Sequence, residues 1–529
     1  MRRRTFLAAG AGLVAPLAAP ALVRAAGQRT LKFIPQADLA VLDPIWTTAY
    51  VSRNHGLMVF DTLYGYDANF APQPQMVEGH RVEDDGRTWL LTLRPGLSFH
   101  DKTPVLARDC VASIRRWAKR DAFGQTLLAS TDELSAPDDR TIRFWLKKPF
   151  PLLPTALGKP GSNICAIMPE RLAQTDAFTQ VTEMVGSGPY RFRADERVAG
   201  SQFVYERFDA YRPREDGAVG WNAGPKRVNF DRVEWHVIPD AATAAAALQT
   251  GEMDWWELPT TDMVPLLRRA AGLRVEIKDP TGQMGCMRLN HLHPPFDNPA
   301  IRRALLLAVS QEDYMIAVGG EDPERRHVPA GTFTPKTPMA SEVGLEAFTR
   351  PRDYDAARRA ITEAGYKGER VVLMAPTDFP ILKAMADIGA DVMQKIGLNV
   401  DYQATDWGTV VQRRAKKDPP TQGGWNVFHT FWAGLDQASP AGHVFLRGQG
   451  PTEGTMGWPS SPKIEALRTQ WLDAPDLASQ KALAVELQQQ ALTDLPYVPV
   501  GQNFYPTAYR PDIDGVVTGS PVFWNVRRT

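Results

Sequence analysis

His291 and His293 stand two residues apart, so at the end of a strand both imidazoles would point to one side, as two ligands of a metal ion would. No nearby cysteine or second histidine pair accompanies them and Pro294-Pro295 follow at once, so two solvated loop histidines are the simpler reading. Gly186-Ser187-Gly188 sets a serine between glycines, but a nucleophile elbow needs Gly-x-Ser-x-Gly, and a turn is the simpler reading. The chain has no His-Glu-x-x-His zinc helix and no Gly-x-x-x-x-Gly-Lys phosphate loop. Cys110, Cys165 and Cys286 are an odd number without paired or histidine-rich spacing, so at most one bridge can form, and packed thiols are expected. No cofactor and no covalent chemistry are expected.

Composition narrows the class further. Hydrophobic residues make up 43% and charged residues 23%, as in an ordinary globular protein long enough for two or three domains. Basic and acidic residues number 60 each, and four arginines in the first 25 residues leave 56 against 60 beyond them. No basic field exists for nucleic acid. Arg3-Arg4-Thr5-Phe6-Leu7, the weakly apolar stretch to Leu22 and Val23-Arg24-Ala25 read as a twin-arginine signal peptide over residues 1–25, cut before Ala26. No cysteine adjoins that site and no later apolar run approaches membrane-spanning length, so a soluble, unanchored periplasmic protein is expected.

The elements that would carry any site are legible in places. Asp85-Gly86 forms a tight turn, and Trp89, Leu91 and Leu93 alternate after it as the buried face of a strand. Thr103-Pro104 has the form of a helix start, with Leu106, Cys110, Ile114 and Trp117 at helical spacing beyond. Asp240 caps an alanine-rich helix that Gly251 closes, and Asn298-Pro299 opens another. Ile381, Leu382, Met385, Ile388, Val392 and Ile396 form a helical stripe ended by Gly397, after which Leu398, Val400 and Tyr402 alternate as a strand. Helix and strand thus alternate around mixed sheets, an α/β reading that suits two lobes facing a cleft.

The block from Met76 to Trp117, with Gly86, Trp89, Arg94-Pro-Gly96, His100-Asp101 and Asp109, resembles the signature of the family 5 extracellular solute-binding proteins, the dipeptide, oligopeptide and nickel receptors of bacterial ABC importers. The resemblance continues through Val185-Gly-Ser-Gly-Pro189-Tyr, Phe230 to Trp235, Leu289-Asn290, Ile301-Arg-Arg-Ala304, Tyr354-Asp355 and Asp406-Trp407. It implies the two-lobed periplasmic-binding-protein fold (type II-like, cluster C) with an extra α/β domain on the N-terminal lobe. Lobe I would comprise about 26–62, 183–280 and 491–529, the extra domain about 63–182 and lobe II about 281–490, with hinge crossings near Pro280 and Ala491. The implied function is capture of a peptide or other small organic solute and delivery to an inner-membrane permease and its ATPase, by a monomer. A metal-dependent enzyme or hydrolase exported by the twin-arginine route is the alternative, and a receptor for signalling or chaperoning a third.

The ligand-binding positions follow from the resemblance. Trp46, Thr47 and Tyr50, after Leu42-Asp43-Pro44, fall where the first lobe lines its cleft. Trp407 matches an acidic-Trp motif, and Trp432 a Gly-Trp segment that contacts peptide; core packing would explain either ring equally well. The peptide receptors' amine-binding aspartate follows three residues after that tryptophan, whereas here Leu435 stands there and Asp436 one residue later, so a one-residue slip is needed. Asp378 occupies the region of a carboxylate-gripping arginine, which reverses the charge. Arg288 is a candidate anion clamp, or a plain solvated arginine; His429 lies near a basic position and Gln502 on the returning C-terminal segment.

Overall fold

Three consecutive residues with positive φ, Asp84, Asp85 and Gly86, turn the chain between the strands Val77–Glu83 and Thr88–Leu93. Trp89, Leu91 and Leu93 point inward, as the period-2 pattern requires. Thr141–Leu146 and Thr131–Ser135 complete a four-stranded antiparallel sheet, covered by the helix Ala107–Ala118 through Cys110, Ile114 and Trp117. That helix begins beyond the expected Thr103-Pro104. The Thr103 hydroxyl donates to Asp101 Oδ1 at 2.6 Å in a turn, while Asp109 Oδ2 accepts the Leu106 amide at 2.8 Å and starts the helix there.

The computed structural model describes residues 29–529, so the expected leader lies outside the described residues. Two larger mixed sheets dominate them. The first runs in the order Arg274–Glu276, Thr507–Tyr509, Trp255–Trp256, Thr30–Ile34, Arg232–His236, Gln202–Arg207, Tyr190–Phe192. The second runs Arg326–His327, Val498–Asn503, Gln283–Leu289, Val427–Ala433, Arg370–Pro376, Asn399–Thr405. Asp240 accepts the Thr243 amide and Gly251 adopts the left-handed conformation that ends the helix Ala241–Thr250, as its sequence specifies. Asn298 caps Pro299–Leu305 in the same way.

The chain leaves the first sheet after Glu276 and enters the second at Gln283, on either side of Pro280. The other crossing differs from expectation. Val498–Asn503 pairs with Gln283–Leu289 and Arg326–His327 in the second sheet, and Ala491 sits inside the helix Leu477–Asp494, so the return falls between Asn503 and Thr507.

Packing ties the three parts together. In the first lobe Phe33 touches Trp235, Trp255 and Phe523 at 4.9–5.5 Å, a knot of aromatic rings under the sheet. The core of the four-stranded domain is continuous with Leu467, Trp471 and Leu487 on the helices Pro462–Asp473 and Leu477–Asp494 of the second lobe. Arg116 joins the same domain to the first lobe by a bidentate pair with Asp43, Nη2 to Oδ2 at 2.6 Å and Nη1 to Oδ1 at 3.2 Å. Cys110, Cys165 and Cys286 are free and buried, and burial pushes all three thiols up, that of Cys286 to about 12. Among the described residues no helix is long and apolar enough to cross a membrane.

Candidate functional site

The helix Tyr50–Val59 of the first lobe is buried from Val51 onward and presents Tyr50 and Arg53, one turn apart, on one side. Opposite, Val427–Ala433 ends in a short turn, Gly434–Gln437, that carries Asp436. The loop Gly161-Ser162-Asn163 of the four-stranded domain supplies the third side. These three segments meet at the Asp436 carboxylate. Tyr50 Oη donates to Oδ2 at 3.2 Å, Ser162 Oγ to Oδ2 at 2.8 Å and the Ser162 amide to Oδ1 at 3.1 Å. A Cβ on Gly161 would stand 2.4 Å from Asp436 Oδ1, so only glycine allows this approach. Burial, and then the Asp436 charge, push the Tyr50 phenol well above its ordinary value, which keeps it a donor.

Beside this junction lies a cavity between the two lobes, walled by Tyr50, Arg53 and Glu257 of the first lobe, Asp279 and Gln283 at the crossing, and Ala433 of the second. Glu257 accepts the Gln36 amide at 2.8 Å, Gln36 Nε2 at 3.0 Å and Asn54 Nδ2 at 3.0 Å, and burial pushes its carboxyl up to about 7. Asp279 Oδ1 accepts from the Thr281 amide and hydroxyl and the Gly282 amide, fixing the crossing, and burial raises it too.

Of the residues expected from sequence, Tyr50 and Asp436 are brought into direct contact. Trp46 and Thr47 border the junction: Asn163 Nδ2 donates to the Thr47 carbonyl at 3.2 Å, and the Arg120 guanidinium lies 4.9 Å over the Trp46 ring. Trp432 lies within the strand Val427–Ala433, just before the cavity-lining Ala433, and turns its ring to the other face, against Phe445 at 5.5 Å. Trp407 and Asp378 form an outer cluster in which the Trp407 amide donates to Asp378 Oδ1 at 2.8 Å and the indole meets Phe379 edge-on. Neither is among the residues that wall the cavity.

Three expectations need correction. Arg288 is 0% exposed and donates to the carbonyls of Met456, Phe445 and Pro496 and to Thr455 Oγ1, stacked over Phe445 at 4.4 Å. It braces the loops behind the second sheet and has no edge left for a ligand anion; burial lowers it to about 9. His429 points away from the cleft into the helical layer, its Nε2 3.1 Å from Tyr314 Oη, and burial pushes it down to about 3, so it supplies no positive charge. Gln502 is 1% exposed and donates to the Thr281 carbonyl at 2.7 Å, joining the strand Val498–Asn503 to the crossing. Of the histidine pair, His293 Nε2 stands 2.8 Å from the Lys417 carbonyl, while His291 is not solvated: burial, and then the charges of Arg302 and Arg288, hold it well below its ordinary value; the described residues contain no group of three or more metal-ligating side chains.

Sequence reading missed Arg53, Glu257, Asp279 and Ser162. Asp279 could have been found, since Asp279-Pro-Thr-Gly282 is a capped turn at the expected crossing. Ser162 carries no local signal.

Comparison with known proteins agrees with this architecture. The model of the bacterial extracellular solute-binding proteins, family 5 Middle, matches residues 71–440. A probable peptide ABC transporter periplasmic-binding protein of Sinorhizobium fredii, y4tO, is 36% identical over 99% of both chains. The glutathione-binding protein GsiB of Pectobacterium atrosepticum is 26% identical over 86% of this chain and 85% of its own. Among solved structures, DppA of Helicobacter pylori in complex with the peptide STSA superposes with a TM-score of 0.77 at 20% identity, over 95% of this chain and 98% of that one. AgaA of A. tumefaciens R10 with agropinic acid gives 0.75 at 19%, over 94% and 99%. These likenesses extend over both lobes and the added domain, and the chain belongs to the family 5 bacterial extracellular solute-binding proteins.

Proposed function

We propose that this chain captures a short peptide or peptide-like conjugate between its two lobes in the periplasm and hands it to the permease and ATPase of an ABC importer. Three parts of the molecule converge on Asp436 beside an interlobe cavity with polar walls, and this observation carries the reading. A peptide receptor and a glutathione-binding protein among the relatives support the ligand class. Membership in a solute-binding family displaces the enzyme alternative. The mature chain acts as an unanchored monomer after twin-arginine export.

Asp436 restores a carboxylate to the cleft by the one-residue slip, but Tyr50 and Ser162 take three of its acceptor sites and it is not among the residues that wall the cavity. It therefore serves as a clasp between lobes, stabilising the closed state alongside the ligand rather than gripping the ligand's amine. Tyr50, which walls the cavity and joins the clasp, is the principal aromatic contact; Trp46 and Thr47 frame the entrance.

Native mass spectrometry of the mature chain mixed with a casein digest and glutathione tests this reading. One noncovalently held molecule per chain is expected, and Tyr50→Ala should weaken its retention by about 30-fold, the effect of truncating a buried anchor worth roughly 2 kcal/mol. No uptake by the wild-type chain overturns the proposal.

A further inference from the structure

Arg53 is 3% exposed, yet it forms no ion pair among the described residues. Its Nε and Nη2 donate to one oxygen, Asn54 Oδ1, at 3.1 and 2.7 Å, and the face of the guanidinium lies 3.6 Å above the centroid of the Tyr50 ring. Nη1 makes no hydrogen bond to the described residues. A buried cation without a partner is costly, and such groups are ordinarily paired. The nearby carboxylates act on Arg53 through their charge only and make no hydrogen bond to it: Glu257 receives Gln36 and Asn54, and Asp279 receives Thr281 and Gly282.

The surroundings hold Arg53 ready instead. Asn54 accepts from Arg53 and donates to Glu257, so a relay of hydrogen bonds fixes the guanidinium, while the helix places Tyr50 one turn away as a flat support. With one face on a ring and one edge on an amide, the group has a remaining edge in the wall of the interlobe cavity. That edge suits a planar, two-oxygen acceptor.

The geometry points to Arg53 as the anchor for a carboxylate of the transported solute, held from the first lobe. This deepens the proposed receptor function and rests on it. The solute's acid group would complete the buried charge, so closure around a ligand lacking it would leave the guanidinium sealed and unpaired. Lobe closure thereby becomes selective for acids.

The test uses the full mature chain and the same casein digest with glutathione, once untreated and once methyl-esterified at its carboxyls. Native mass spectrometry should show uptake from the untreated pool and none from the esterified one. Arg53→Gln should lose roughly tenfold or more in retention, as for a charge-assisted hydrogen-bond pair, and Arg53→Lys should recover part of it. Equal uptake from both pools by the wild-type chain overturns the role of Arg53 while leaving the receptor reading intact, and so does full retention by Arg53→Gln with an unchanged circular dichroism spectrum. Uptake from neither pool overturns the receptor reading and this inference with it. The esterified pool decides the matter even where Arg53→Gln fails to fold.

Discussion

Replacing Arg116 with methionine is expected to destabilise the protein by about 3–5 kcal/mol, because it strands the Asp43 carboxylate in the interior. The side chains of the pair are 2% and 0% exposed. Asp43 also accepts the amides of Ile45 and Val181, and Arg116 reaches the carbonyls of Thr175 and Thr179, so one pair fixes the entry segment of the first lobe against the four-stranded domain. The double variant Asp43→Leu, Arg116→Met should recover much of the loss, since no lone charge remains. Lys148–Asp473, with side chains 50% and 41% exposed, is the contrast: Lys148→Met should cost about 0–1 kcal/mol, as exposed pairs do. Chemical denaturation of the four proteins measures both. A loss at Arg116 no larger than that at Lys148 would show that Asp43 is not sealed from water.

Acid should unfold the protein well above the range in which its exposed carboxylates titrate. Burial lowers His55, His429 and His443 to about 3 and His100 to about 4, and it places His291 well below its ordinary value. In the unfolded chain these rings accept protons near pH 6.5, so each contributes stability that is present above that value and is lost as pH falls toward the folded one. Glu257 acts in the opposite sense. Its folded value of about 7 lies above the ordinary 4.5, so its contribution is complete below 4.5 and is lost as pH rises through 7. At 1.36 kcal/mol per unit, the first four histidines outweigh this carboxyl, and stability should fall by about 5 kcal/mol between pH 7 and about pH 5. Thermal unfolding across that interval measures the slope, and His429→Gln should flatten it. A melting temperature constant from pH 7 to pH 5 would mean that these rings take up protons without unfolding.

Local chemistry was the legible part of this chain. The Asp85-Gly86 turn and the helix from Ala241 to its Gly251 stop were readable because each rests on residues within a few positions of one another. Nonlocal pairing was not. Val498–Asn503 belongs to the second sheet only because its edge meets Gln283–Leu289, more than 200 residues away, and no local feature marks Asn503 rather than Ala491 as the end of the lobe. Strand alternation likewise establishes that His429 and Trp432 face opposite sides of their strand without saying which side meets solvent. Arg288 and His429 proved to be interior groups for this reason. The cavity wall was the least legible. Ser52, Arg53, Asn54 and His55 are four successive polar residues on a helix buried all round, where hydrophobic periodicity identifies no core face. The family resemblance pointed to Tyr50, which lines the cavity, and by a one-residue slip to Asp436, which Tyr50 touches, but not to the cavity-lining Arg53 one turn beyond.

Small-angle X-ray scattering of the mature chain, first stripped of solute and then returned to the molecule it retains, tests closure between the lobes most directly. A hinge at the two crossings, with Asp436 clasped only when the lobes meet, predicts a larger radius of gyration for the stripped protein and contraction on binding to the profile calculated from the closed structure. An identical scattering profile with and without bound solute would contradict capture by closure of the two lobes.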